Sequence, residues 1–225
     1  MAADLPLPKR IVVQGYFTVD GEKMSKSLGN VINPVAAAER HGIEPLRYYL
    51  LSAIPYGSDG DVSMDRFEEM YTSDLKNGIG NLVSRVLAMV EKYTDGKVPI
   101  SEAKGLFNVL PAEEIISKHL DNFEFHNLLH AIQSVIGRVN TFINDQKPWS
   151  LAKEGEKAKV HSILALSLHQ IRHIAWALYP VMPEASKKIF ISLGLNPAEE
   201  LSLNISDIGI LKEGIPVTKG DILFT

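Results

Sequence analysis

Cysteine is absent from the 225 residues. Disulfides and thiolate metal sites are therefore excluded, and a reducing compartment such as the cytoplasm is the natural expectation. Long apolar runs are absent too. None approaches the roughly 20 residues that span a bilayer, and 1-MAADLPLPKR-10 lacks the apolar stretch of a secretory signal, so no membrane partner is expected. Positive charge is in short supply: 23 Lys and Arg face 27 Asp and Glu, a net charge of −4, and the pI is near 6.0. A protein that coats nucleic acid through its overall field is basic. Any RNA binding here has to work through local sites. Internal repeats and low-complexity tracts are also missing. What remains is an ordinary globular composition, 45% hydrophobic with mean hydropathy +0.02, enough for one large or two small domains.

The pattern along the chain is mainly helical. The first structured piece, 11-IVVQGYFTV-19, is a β-branched and aromatic run of the kind buried on both faces in a parallel sheet. No second strand of similar quality precedes residue 200, so it reads as a lone strand whose sheet lies elsewhere. In 33-NPVAAAERHG-42, Asn33 suits a helix N-cap, Pro34 the first turn and Gly42 the stop. Residues 45–53 predict a second short helix, and 55–63 a polar loop. From 64 to 93 the period is helical, with an interruption expected near Gly78 and Gly80. Shorter and longer helices follow over 111–121, 125–143, 156–179 and 183–193. In 125–143 the residues Phe125, Leu128, Leu129, Ile132, Val135, Ile136, Val139, Phe142 and Ile143 form one apolar stripe. Helices of this length joined by short connections predict an antiparallel bundle. The segment 203–225 has no period and is expected to lie over the bundle as an extended tail.

The stretch 21-GEKMSKSLGN-30 carries chemistry. Gly21 and Gly29 permit unusual backbone angles. Lys23 and Lys26 are mobile point charges that can follow a phosphate, and Ser25 and Ser27 add hydroxyl donors. By composition alone a solvated turn with incidental lysines is the plainer reading. The residues themselves go further. Lys23-Met24-Ser25-Lys26-Ser27 reads KMSKS, the signature loop of class I aminoacyl-tRNA synthetases. The lead-in 5-LPLPKRIVVQGYFTVDGEKMSKSLGNVINP-34 and 46-LRYYLL-51 resemble the methionyl-tRNA synthetase family.

Two further patches agree with that resemblance. Asn81 and Arg85 in 81-NLVSR-85 are four apart and share a helix face, and an amide with a guanidinium can read base edges. Trp149 in 147-KPWSLAK-153 follows Pro148, which should end the preceding helix, and its ring can stack an unpaired base. From spacing alone an exposed polar pair and a tryptophan packed on the bundle are the plainer readings. In the family the matching Asn, Arg and Trp recognise the CAU anticodon.

The resemblance covers essentially the whole chain. It implies a mainly α fold: a class I anticodon-binding helical bundle over 63–202, preceded over 1–62 by the end of a Rossmann-type catalytic domain with a small α/β stem-contact segment, and followed by the tail over 203–225. It implies ATP with Mg2+ as the cofactor, methionine tRNA with anticodon CAU as the partner, and methionine-tRNA ligase as the family activity. By resemblance Lys23 and Lys26 stabilise the ATP phosphates during attack by the methionine carboxylate, while Met24, Ser25 and Ser27 complete the ATP-binding loop. The HIGH motif and methionine pocket of the family's N-terminal half are not among these 225 residues. The expectation is therefore a C-terminal portion, beginning within the nucleotide-binding fold and ending short of the family's terminus, that recognises tRNA but does not activate methionine alone. The rival is a free-standing tRNA-binding module. The pairs His126/His130 and His169/His173 have zinc-compatible spacing. Gln170 stands where the HExxH motif has Glu, though, and no third ligand is evident, so no metal site is expected.

Overall fold

The computed structural model describes residues 7–11, 13, 15–19, 21–25, 27, 32–55, 57–100, 108, 110–220 and 223–224. Phe17–Val19 (β1) turns back through Gly21, at φ 76°, onto Glu22–Lys23 (β2). Gly60–Asp61 (β3) runs parallel to β1 on its other side, giving the order β2-β1-β3. Thr18 faces Lys23 in one ladder and Asp61 in the other. This departs from the lone strand expected over 11–19. Among its described residues the last three are strand, and both partners lie within the chain. Gly21 supplies the left-handed turn that closes the hairpin. A side chain at Gly60 would strike Ile54, so glycine lets β3 approach. Ile11 and Val13, outside the ladder, stay 80% and 74% exposed.

Two short helices complete the small layer. Pro34–His41 (α1) starts where the Asn33 carboxamide oxygen accepts the Val35 N–H at 2.9 Å, and stops at Gly42, φ 94°. Ile43–Ser52 (α2) follows directly. Ala37, Leu46, Tyr49, Ile54, Val62 and Phe67 form a core of their own, with Phe17, Val19 and Met24 packed against it.

Met64–Met70 (α3) opens on Ser63, whose hydroxyl accepts the Arg66 N–H. It runs through a π-helical stretch, Tyr71–Gly80, into Asn81–Tyr93 (α4). The helix is widened where the sequence suggested interruption. Gly78 and Gly80 make this possible, because a Cβ there would sit 3.2 Å from the Ser73 carbonyl oxygen and 2.9 Å from that of Leu75. Each oxygen lies five residues back, the crowding that i→i+5 hydrogen bonding creates. The widened turns set the rotation at which α4 presents its polar face.

The remaining helices are Ala112–Leu120 (α5), Phe125–Gln146 (α6), Pro148–Lys153 (α7), Lys157–Leu178 (α8), Pro183–Ser192 (α9) and Pro197–Glu200 (α10). The stripe expected on α6 is what it buries, from Leu128 to Ile143, with Phe125 half-buried. Helix α8 is buried nearly all round and touches α4, α5, α6, α7 and α9, so its polar residues Ser167, His169, Gln170 and Arg172 are buried with partners inside the fold. Pro148 opens α7 rather than simply ending α6. Lys147, in a left-handed conformation at φ 46°, makes the corner. Helix α10 and a 3-10 turn at Ile205–Asp207 went unforeseen. Elsewhere the described residues of the tail carry no further helix, with a turn at Glu213–Gly214. Lys97 bridges Pro216, and Ile208, Leu211, Val217 and Phe224 are buried against the bundle. No helix among the described residues is long and apolar enough to cross a membrane.

Polar clasps join the two cores. The Glu44 carboxylate accepts the N–H groups of Glu184 at 2.6 Å and Ala185 at 2.9 Å, at the positive end of α9. Arg47 donates to the Pro180 carbonyl at 3.2 Å. Gln133 donates to the Tyr48 hydroxyl at 2.9 Å.

Candidate functional site: a nucleotide loop and an RNA interface

The loop 21–27 springs from β2. Its base is held by Asp61, whose carboxylate accepts the Gly21 N–H and the Thr18 hydroxyl, both at 3.0 Å. The Gly21 bond, then that of Thr18, holds the Asp61 carboxyl below its usual range. Arg66 approaches the same group at 3.3 Å. Lys23 lies with its ammonium 4.1 Å from the centroid of the Tyr16 ring, a cation–π contact. Met24 turns inward onto the small core. The hydroxyls of Ser25 and Ser27 are 2.7 Å apart, and the Ser27 N–H donates to Ser25 at 3.3 Å. Lys26, the second lysine of the motif, lies outside the described residues. The arrangement is a short polar loop on a charged anchor, pinned inward by one apolar side chain.

The second constellation sits on the bundle. Asn81 is the first residue of α4 and is exposed; Arg85 is one turn further along. The Arg85 guanidinium carbon lies 5.3 Å from the centroid of the Trp149 ring. Its Nη2 donates to the side-chain oxygen of Asn144 at 2.7 Å. Trp149 is half-buried, with part of its ring packed against the large core and the rest open. A stacking surface and a five-donor fork thus meet at one place, brought there by α4, α6 and α7. Trp149 is in place because Pro148 suits a first helical turn, and the left-handed Lys147 turns the chain sharply out of α6.

The histidine pairs do other work. His169 Nδ1 accepts the Leu211 N–H at 3.1 Å, and His173 Nδ1 accepts the Ala112 N–H at 3.2 Å. Burial pushes both imidazoles down to about 4, helped for His169 by His173 and for His173 by Arg172. His126 donates to the Ser52 carbonyl and meets the His130 ring edge-on. Among the described residues no group of three or more His, Cys, Asp or Glu side chains could hold a metal ion.

Two residues at these sites were not legible in the sequence. Asn144 is one polar residue on a helix end, and nothing in its spacing ties it to Arg85, 59 positions away. Asp61 looks like a turn residue until the fold returns it 40 positions to Gly21.

Comparison with known proteins gives these arrangements a context. Residues 1–87 match the family model of class I tRNA synthetases (M), which sets the class. Residues 101–225 match the anticodon binding domain of methionyl tRNA ligase. The chain belongs to the methionyl-tRNA ligase family. The methionine–tRNA ligase of Caldanaerobacter subterraneus subsp. tengcongensis is 38% identical over the whole of this chain, which spans 36% of that protein. That of Thermotoga maritima is 36% identical, again with 36% of its length covered. The chain thus spans about a third of the curated relatives it matches. Mycobacterium tuberculosis methionyl-tRNA synthetase in complex with methionyl-adenylate superposes with a TM-score of 0.88 at 34% identity, covering 98% of this chain and 45% of the other.

Proposed function

We propose that this chain supplies the ATP-closing loop and the anticodon-reading bundle of a methionine–tRNA ligase. In that reaction the methionine carboxylate attacks the α-phosphorus of ATP, forming methionyl-adenylate and releasing pyrophosphate. A terminal hydroxyl of the tRNA then takes the methionyl group and releases AMP. Such phosphate displacement is catalysed mainly by positioning and charge stabilisation. Lys23 and Lys26 are assigned to the negative charge that builds on the phosphates. The hydroxyls of Ser25 and Ser27 and the loop backbone hold the closed form, with Met24 as its apolar anchor. Magnesium travels with ATP, kept largely by phosphate oxygens and water, and no step is assigned here to a protein-held metal.

Asn81, Arg85 and Trp149 are assigned to the CAU anticodon of methionine tRNA. The observation that carries this reading is the Arg85 guanidinium over the Trp149 ring, steadied by Asn144. A ring for stacking and a fork for base edges are what single-stranded RNA recognition requires. The test is binding of a CAU anticodon stem-loop at fixed salt. Trp149→Ala should weaken it by about 1–3 kcal/mol, the usual scale of base–aromatic stacking; unchanged affinity contradicts the assignment.

A second reading, a tRNA-binding module without a ligase role, is favoured by one observation: β1 finds both partners inside this chain. Methionine-dependent ATP–pyrophosphate exchange separates the two. The chain alone is predicted to show none, whereas a longer protein that also carries a HIGH motif and methionine pocket should exchange. Failure of that longer protein leaves the second reading standing.

A further inference from the structure

We propose that a groove beside the Arg85–Trp149 pair is a track for RNA phosphates, extending contact beyond the anticodon bases. This rests on the anticodon reading above. The groove, about 580 Å³, opens between the end of α4, the Lys97 strap, and the start of α8. Its wall carries Lys92, Lys97 and Lys157, all exposed, with His161 half-buried beside them. Two carboxylates, Asp95 and Glu213, also line it, so the lysines prevail by a narrow margin.

Helix geometry joins the groove to the anticodon site on two sides. Lys92 is seven residues beyond Arg85, so both share one face of α4, about 10 Å apart along its axis. Ala152, a groove residue, is three beyond Trp149 on α7 and shares its face. A strand whose base lies on Trp149 therefore meets the lysines next. The groove also borders the positive end of α8, a 22-residue helix, although the Lys157 N–H is taken by the Gly155 carbonyl and the Glu156 carboxylate at the N-cap pairs with Lys159. The net charge of the chain is −4, so an anionic strand needs such a local cluster if it is to be held outside the bases. Phosphate contacts of this kind fix register but carry no sequence information.

The test is a salt titration of binding, using the full 225-residue chain and two synthetic stem-loops, one with CAU and one with a changed anticodon. For Lys92→Gln/Lys157→Gln the slope of log K against log salt should become shallower by about 1.5, since each lost phosphate contact removes nearly one. The ratio of affinities for the two stem-loops should stay unchanged, and Lys92→Arg/Lys157→Arg should restore the slope. An unchanged slope in the Gln variant overturns the track. So does a collapse of the ratio, which would make these lysines base readers, or a failure of the Arg variant to restore the slope. Absence of stem-loop preference in the unsubstituted chain overturns the anticodon reading itself, and the track with it.

Discussion

Arg85 is held at two points, over the Trp149 ring and against Asn144. Both depend on the planar guanidinium, which stacks and donates as a fork where an ammonium does neither. Arg85→Lys keeps the charge and loses the fork. It should cost about tenfold in discrimination between CAU and a changed anticodon, the scale of one bidentate base contact, with little effect on folding. Equal discrimination in stem-loop binding contradicts the role given to Arg85. Asn81 and Arg85 were legible as a pair because helix spacing alone puts them on one face. Their meeting with Trp149 was not, because it depends on how α6 turns through Lys147 into α7. The motif loop shows the opposite balance. Its residues were unmistakable, while Asp61, which anchors its base, was hidden by sequence distance.

At the scale of elements, the π-helical stretch is the least ordinary feature. A Cβ on Gly80 would sit 2.9 Å from the Leu75 carbonyl oxygen and 3.3 Å from the Phe224 ring. An alanine gains about 1 kcal/mol in helix propensity, but overpacking against backbone costs about 1–3 kcal/mol. Gly80→Ala should therefore lower the urea midpoint; a raised midpoint would show that the stretch relaxes into ordinary α-helix. Periodicity could place a helix over 64–93 yet not its pitch, because glycine reads as a break unless the neighbouring carbonyls are known. The short strands escaped for a similar reason, being two or three residues long and defined by pairing rather than by pattern.

Helix α8 organises the elements around it and carries a pH dependence. Neutral His169 and His173 accept the N–H groups of Leu211 and Ala112, fastening the tail and α5. Their folded pKa values, about 4, lie below the unfolded value of 6.5. The unfolded chain then binds more protons, so this stability is complete above pH 6.5 and is lost as the pH falls toward 4. The loss is about 2 kcal/mol per histidine, allowing for the solvent that reaches His173. Denaturant unfolding should show the midpoint falling between pH 6.5 and 5, above the carboxylate range. A flat profile there would show that these imidazoles are not buried neutral acceptors.

Across the whole molecule, two cores meet through apolar contacts at Tyr48, Leu51 and Met70, and polar clasps fix their register. The Glu44 carboxylate on α9, Arg47 on Pro180 and Gln133 on Tyr48 set the small layer against the bundle. The bundle was legible from its stripes, since burial of a helix face follows from spacing. The clasps were not, since each joins a short helix to a residue 85 or more positions away. Their consequence is geometric: the strands that carry the 21–27 loop and the Arg85–Trp149 pair are held on one scaffold. The most direct test of the central claim is the affinity of the chain for a CAU anticodon stem-loop against the same stem-loop with one anticodon base changed. The predicted result is a preference of about tenfold or more, since one mismatched contact costs about 1–3 kcal/mol, and its loss in Trp149→Ala. Equal affinity for the two stem-loops would contradict it.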